Sequence, residues 1–108
     1  MKKQSDMDNA LNNFQQRCFE WSVETFGIRG PTGPLQHLKS ECEEAIENPE
    51  DITEFADMFL LLQDAAARAG HKMSSVYNAA IDKHTVNTKR DWPPAGETND
   101  QGFTEHKK

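Results

Sequence analysis

The stretch NPEDITEFADMFLLLQDAAARAG, residues 48–70, decides the fold. It reads as one helix with its start and stop written in. Asn48 is the expected N-cap, and Pro49 suits the first helical position, where a missing N–H has no partner to lose. Glu50 and Asp51 then favour the positive end of the helix dipole, and Gly70 stops the helix. In between, residues 58–62 are apolar on every side, which puts such a helix at the centre of a bundle or of an oligomer. Both are expected here.

Helical periodicity extends in both directions from this segment. Met7, Leu11, Phe14, Cys18 and Trp21 recur at spacings of three and four, with Phe19, Val23 and Phe26 as an adjacent row and Gly27 as a stop. GIRGPTGP (27–34) is too rich in Gly and Pro for regular structure. A second helix starts near Pro34 with apolar Leu35, Leu38, Cys42, Ala45 and Ile46. Ser74 or Ser75 is the expected cap of a fourth helix, with Met73 as its staple. That helix runs to about Arg90 and is ended by Trp92, Pro93 and Pro94. No strand alternation appears. The class is all-α: a four-helix bundle with short connections and antiparallel neighbours, completed by oligomerisation. The expected domain covers residues 1–93, with the first few contributing little, and 94–108 form a polar tail, disordered or laid over the surface.

A chain of 108 residues makes one domain with a modest core. Its net charge of −6 speaks against binding a nucleic-acid polymer, which needs clustered Lys and Arg. A small anion carried in with a divalent metal stays compatible, because the metal reverses the local charge. Cys18 and Cys42 have no zinc spacing and read as small buried residues in a reducing compartment. Without a signal-peptide core or membrane-length apolar run, a soluble cytoplasmic protein with no membrane partner is expected.

Residues 41–57 hold eight carboxylates, and helix phase sorts them. At about 100° per residue, Glu43 and Glu47 fall opposite the apolar arc of the second helix, whereas Glu41 and Glu44 edge it, with His37 one turn earlier. Glu54 and Asp57 are likewise three apart, just ahead of the all-round apolar segment. In an antiparallel hairpin the two pairs face each other near its closed end. Four converging, half-desolvated carboxylates repel one another, and hard divalent cations are the usual resolution. The competing reading is an ordinary solvated acidic face. A di-iron cage fits less well, since it wants Glu-x-x-His on its helices.

On the fourth helix, Lys83, Asn87 and Arg90 share a face. By themselves they suit the negative end of a helix dipole; beside a metal site they form a phosphate clamp. Asp64 lies on the Asp57 face, either as an outer or additional ligand or as a surface acid. His37 and Trp21 are candidate contacts for phosphate or base, although the spacing of Trp21 with Phe14 and Cys18 favours the core. GIRGPTGP lacks the GK[ST] of a P-loop; it shapes the mouth of a pocket, with Arg29 as a candidate phosphate contact.

Glu41-x-x-Glu44, Glu54-x-x-Asp57 before MFLLL, and Lys83-x-x-x-Asn87-x-x-Arg90 together resemble the MazG-like all-α nucleoside triphosphate pyrophosphohydrolases. FGIRGPTGPLQHLKSECEEAI, EFADMFLLLQDAAARAG and KHTVNTKRDWP are similar to the phage and prophage dATP/dGTP diphosphohydrolase branch, which includes the MazZ-type enzymes. The likeness covers residues 21–93. It implies Mg²⁺-dependent hydrolysis, with Mn²⁺ able to substitute, of purine deoxynucleoside triphosphates to monophosphate and pyrophosphate, or with stepwise phosphate release, in a homodimer or homotetramer. It further implies that Glu41, Glu44, Glu54 and Asp57 hold the metal, Lys83 and Arg90 the β- and γ-phosphates, and Asn87 the sugar or a phosphate. Where the family often carries two adjacent acids, Ser40 precedes Glu41 here. A register of Glu43-Glu44-x-x-Glu47 is the alternative, and helix phase opposes it. Other readings of the whole chain are the same chemistry on pyrimidine or damaged nucleotides, or a non-enzymatic helical interaction protein.

Overall fold

A computed structural model describes residues 2–107, with side chains from Ser5 onward. Four helices follow one another: α1 (Lys2–Phe26), α2 (Thr32–Glu47), α3 (Ile52–Arg68) and α4 (Met73–Thr88). No strand occurs among the described residues. None of these helices is long and apolar enough to cross a membrane. The chain divides into two compact units, Met1–Tyr77 and Asn78–Lys108.

In the first unit α3 is the shared partner, packed against both α2 and α1. Cys42 Sγ lies 3.6 Å from Met58 Sδ, and Glu44 approaches Glu54, so α2 and α3 run antiparallel. The short turn between them departs from the sequence expectation. Asn48 closes α2 rather than opening α3, its backbone N–H donating to Glu44 O at 3.0 Å. Asp51 is the N-cap of α3, accepting from the Thr53 N–H at 3.0 Å and from the Thr53 hydroxyl at 2.7 Å. The far end of α3 stops as expected. Gly70 adopts φ +90°, donating to Ala67 O, while His71 N–H reaches Ala66 O; these two bonds satisfy the last carbonyls of the helix.

α4 is capped from a distance. Its first donors, the N–H groups of Met73 and Ser74, go to Gln15 Oε1 at 2.8 Å and Asn12 Oδ1 at 3.0 Å, both side chains of α1. No local Ser74 or Ser75 cap is needed. Gln15 also donates to Gln63 O and His71 O, so one amide ties α1 to α3 and to the turn before α4. The buried face of α1 accordingly carries Gln15 and Ser22, seven residues and two turns apart. The apolar row expected to be buried is instead open: Met7 is 42%, Phe14 37% and Trp21 60% exposed. Neither cysteine is buried, Cys18 being intermediate and Cys42 exposed. α1 begins at Lys2.

Ala45, Ala65 and Met73 are the buried apolar residues of the described chain. Phe55, Phe59, Leu60 and Leu62 of α3 lie open along the helix that was read as apolar on every side.

In the second unit, the tail folds back on the end of α4. Asn99 Oδ1 accepts from the N–H groups of Gln101 and Phe103, forming a turn, and the Lys107 N–H donates to Asp91 O. His106 then packs edge-on against Trp92, ring centroids 5.7 Å apart.

Candidate active site

Glu41, Glu44 and Glu54 each place one carboxylate oxygen so that all three lie within 4.8 Å of one another. Helix phase explains how. Glu41 and Glu44 are one turn apart on the α2 edge that meets α3, and Asp51 starts α3 so that Glu54 falls in its first turn, opposite them. Glu43 and Glu47 are exposed and lie outside this group.

Like charge dominates the electrostatics. The Glu44 carboxyl is raised above its ordinary value, first by a hydrogen bond and repulsion from Glu41, then by desolvation and by the charges of Glu54 and Asp57. Glu54 is raised chiefly by desolvation, then by Asp51, Glu41 and Asp57. Its Oε2 is buried and has no hydrogen-bond partner. A buried, partnerless carboxylate oxygen among other carboxylates would be compensated by a cation. The all-oxygen donor set suits a hard divalent ion. Asp57 is exposed and outside the three-oxygen group, but near enough for its charge to act on Glu44 and Glu54. His37 Nε2, one turn earlier on α2, lies 3.2 Å from Glu41 Oε1.

His37 also lines a cavity of about 430 Å³, together with Phe26, Arg29, Leu61, Asp64 and Arg68. A second cavity of about 320 Å³ is lined by Trp21, Phe26, Leu60, Leu61 and Asp64, with little polar surface. Trp21, expected to favour the core, is instead a cavity wall, its ring edge-on to Phe26 at 5.5 Å.

Arg68 escaped the sequence reading altogether. Its guanidinium, 3% exposed, donates to Asp64 Oδ2 at 3.0 Å, to Ser22 Oγ at 2.7 Å, and to the carbonyls of Gly27 and Arg29 at 3.0 and 3.1 Å. It thereby pins the GIRGPTGP loop, and Arg29 with it, over the first cavity. The one legible signal was the i, i+4 spacing of Asp64 and Arg68.

Lys83, Asn87 and Arg90 belong to the second unit. Lys83 is exposed, while Arg90 Nη1 reaches Asn87 Oδ1 at 3.3 Å and His106 Nδ1 at 3.5 Å. The indole of Trp92 donates to Asn87 O at 2.6 Å. The tail thus takes part in holding Arg90.

Residues 14–107 match the model of the dATP/dGTP pyrophosphohydrolase family. The chain belongs to this family. Its members are nucleoside triphosphate pyrophosphohydrolases, hydrolases of acid anhydrides. A solved relative is the MazG-like pyrophosphohydrolase of cyanophage S-2L, bound to dGDP and three catalytic Mn²⁺ ions per active site. The likeness has a TM-score of 0.71 and 28% identity, covering 91% of this chain and 97% of that one, and the shared architecture is MazG-like and all-α. The Eaa protein of Salmonella phage P22 is 47% identical over 74 residues, 68% of this chain. The chain spans 23% of the length of that curated relative.

Proposed function

We propose that the chain hydrolyses purine deoxynucleoside triphosphates, dGTP and dATP, to the monophosphate and pyrophosphate, using Mg²⁺ with Mn²⁺ able to substitute. The observation that carries this reading is the convergence of Glu41, Glu44 and Glu54, with its partnerless Glu54 Oε2, in a chain of the dATP/dGTP pyrophosphohydrolase family. Together with Asp57, these residues would hold the metal. When bound, a divalent ion supplies neutralising charge for phosphate oxygens and acidity for a coordinated water.

The chain's own groups do the rest. A carboxylate of the cluster would accept the proton of the attacking water. His37 keeps Glu41 oriented. The cavities edged by His37, Arg29 and Trp21 take the nucleoside and keep bulk water from it. Lys83, Asn87 and Arg90 supply donors and positive charge to the triphosphate, with Arg90 steadied by Asn87 and His106.

The open apolar face of α3 supports a homodimer or homotetramer as the working form, with the nucleotide pool of the cytoplasm as its setting. The test is pyrophosphate release from each of the four dNTPs with Mg²⁺. Release from dGTP and dATP is expected. Release from pyrimidine nucleotides alone would overturn the purine assignment, and release from none would overturn the enzyme reading.

A further inference from the structure

Two arginines of this chain are held by opposite means. Arg68 is neutralised, its buried guanidinium paired with Asp64 Oδ2 at 3.0 Å. Arg90, in the second unit, is half-buried and is held by uncharged acceptors, Asn87 Oδ1 at 3.3 Å and His106 Nδ1 at 3.5 Å. Among the described residues no carboxylate pairs with it. Neutral acceptors fix the direction of a guanidinium without cancelling its charge, and its remaining N–H groups are left for an anion.

His106 reaches this place because the tail is tied down. Gly102 turns the chain at φ +91°, and across that turn the Asn99 N–H donates to Phe103 O at 2.7 Å. The Lys107 N–H then donates to Asp91 O at 2.6 Å. Trp92 donates its indole N–H to Asn87 O at 2.6 Å and meets the His106 ring edge-on at 5.7 Å. Asn87, Arg90, Trp92 and His106 thus close a circuit. Three members come from the end of α4 and the residues just after it, and the fourth comes from the tail. Arginine can only donate, so His106 Nδ1 is the acceptor and the imidazole carries its proton on Nε2. The family match extends through residue 107 and so includes this tail.

We infer that the tail belongs to the triphosphate-binding apparatus, with His106 as a positioning residue that aims Arg90 at the β- and γ-phosphates. This rests on the reading of Arg90 given above and takes it further, because it makes the tail a part that separates substrate from product. A deoxynucleoside monophosphate carries neither of those phosphates and leaves the contribution of the tail unused. Removing the acceptor frees the guanidinium to visit other rotamers, and triphosphate binding must then order it.

The experiment measures KM for dGTP and Ki for dGMP as a competitive inhibitor. The proteins are the wild type, His106→Phe, His106→Asn, Arg90→Ala and the double variant Arg90→Ala/His106→Phe. Phenylalanine keeps a ring beside Trp92 and lacks the acceptor, whereas asparagine keeps an acceptor oxygen near the Nδ1 position and lacks the ring. Arg90→Ala should raise KM by about tenfold or more, through loss of charge-assisted hydrogen bonds. His106→Phe should raise it by about three- to tenfold. His106→Asn should recover KM to within about twofold of the wild type, and Ki for dGMP should move by less than about twofold in both variants. In the Arg90→Ala background, His106→Phe should add less than about twofold, because it acts through the missing guanidinium. A normal KM in His106→Phe overturns the inference, and so does a His106→Asn as impaired as His106→Phe. Parallel losses for dGTP and dGMP mark a structural role and overturn it as well. An undiminished His106→Phe effect in the absence of Arg90 does the same. A normal KM in Arg90→Ala overturns the role given to Arg90 and this inference with it, whereas a wild type that releases pyrophosphate from no nucleotide overturns the enzyme reading itself.

Discussion

The side-chain oxygen of Gln15 accepts the backbone N–H of Met73 at 2.8 Å, so a residue 58 positions upstream caps α4. The same amide donates to the carbonyls of Gln63 and His71, in a side chain only 6% exposed. Replacing it with an isosteric apolar group strands the buried Met73 N–H and removes the donor shared by Gln63 O and His71 O. Gln15→Met should therefore cost about 1–3 kcal/mol or more. Urea unfolding followed by circular dichroism checks this, and an unchanged midpoint would refute it.

Asp51, not Asn48, starts α3. Asp51→Ala should cost about 1 kcal/mol through loss of the cap. Asn48→Ala should cost only a few tenths, its side chain contributing one long bond of 3.4 Å to Glu44 O. A larger loss for Asn48→Ala than for Asp51→Ala would restore the reading of Asn48 as cap.

The sorting of the acids by helix phase predicts a contrast in activity. Glu41→Gln and Glu54→Gln should lower pyrophosphate release by about a hundredfold or more, since even outer groups around a metal account for about 10–100-fold. Asp57→Asn should do the same. Glu43→Gln and Glu47→Gln, exposed and away from the cluster, should retain most activity. Far-ultraviolet circular dichroism separates lost function from lost helix. An inactive Glu47→Gln beside an active Glu41→Gln would move the site to the neighbouring register.

The pH dependence of stability has a definite sign. Glu44 and Glu54 hold protons more tightly when folded than at the ordinary value of 4.5. Above 4.5 the folded state therefore binds more protons than the unfolded one, and stability falls as pH rises through the raised values. Asp51 is lowered by its bonds to Thr53 and acts oppositely. Its contribution is present above 3.8 and lost as pH falls further, outside this window. Metal-free protein should therefore gain less stability, or lose it, between pH 4.5 and pH 7 relative to Glu44→Gln/Glu54→Gln, in which these two groups no longer titrate. Added Mn²⁺ should raise the melting temperature more at pH 7. An equal Mn²⁺ effect at both values would argue against the cluster as the cation site.

If the open face of α3 is where copies meet, Phe59→Glu should shift the sedimentation profile toward the monomer and lower the melting temperature. Phe59 is 40% exposed in the single chain, so the substitution disturbs little within it. An unchanged sedimentation coefficient would place the interface elsewhere.

How much of this was legible depended on what each residue's neighbours in sequence could reveal. The four helices, the stops at Gly27 and Gly70, and the division of Glu41 and Glu44 from Glu43 and Glu47 follow from periodicity, which is local. The start of α3 was displaced by two competing local signals. Asn-Pro resembles a helix opening, but Asp51 finds a donor partner in Thr53, and Asn48 completes the turn before it. The burial of Gln15, Ser22 and Arg68 was not legible. Polar side chains become interior only where partners from other segments satisfy them, and those partners are 39 to 58 residues away. For the same reason the spacing of Trp21 favours a core, whereas the residue stands 60% exposed.

The turn at residues 48–51 has a further consequence, in the order in which the molecule assembles. Glu41 and Glu54 are thirteen positions apart, joined by a loop of four residues. Closing a loop of this scale takes on the order of 10–100 ns and costs little entropy. The α2–α3 hairpin can therefore close before Gln15 finds Met73, and with it the three carboxylates meet early. Their repulsion is set against the closing hairpin itself, so any cation they accept acts on the rate of folding as well as on the finished site.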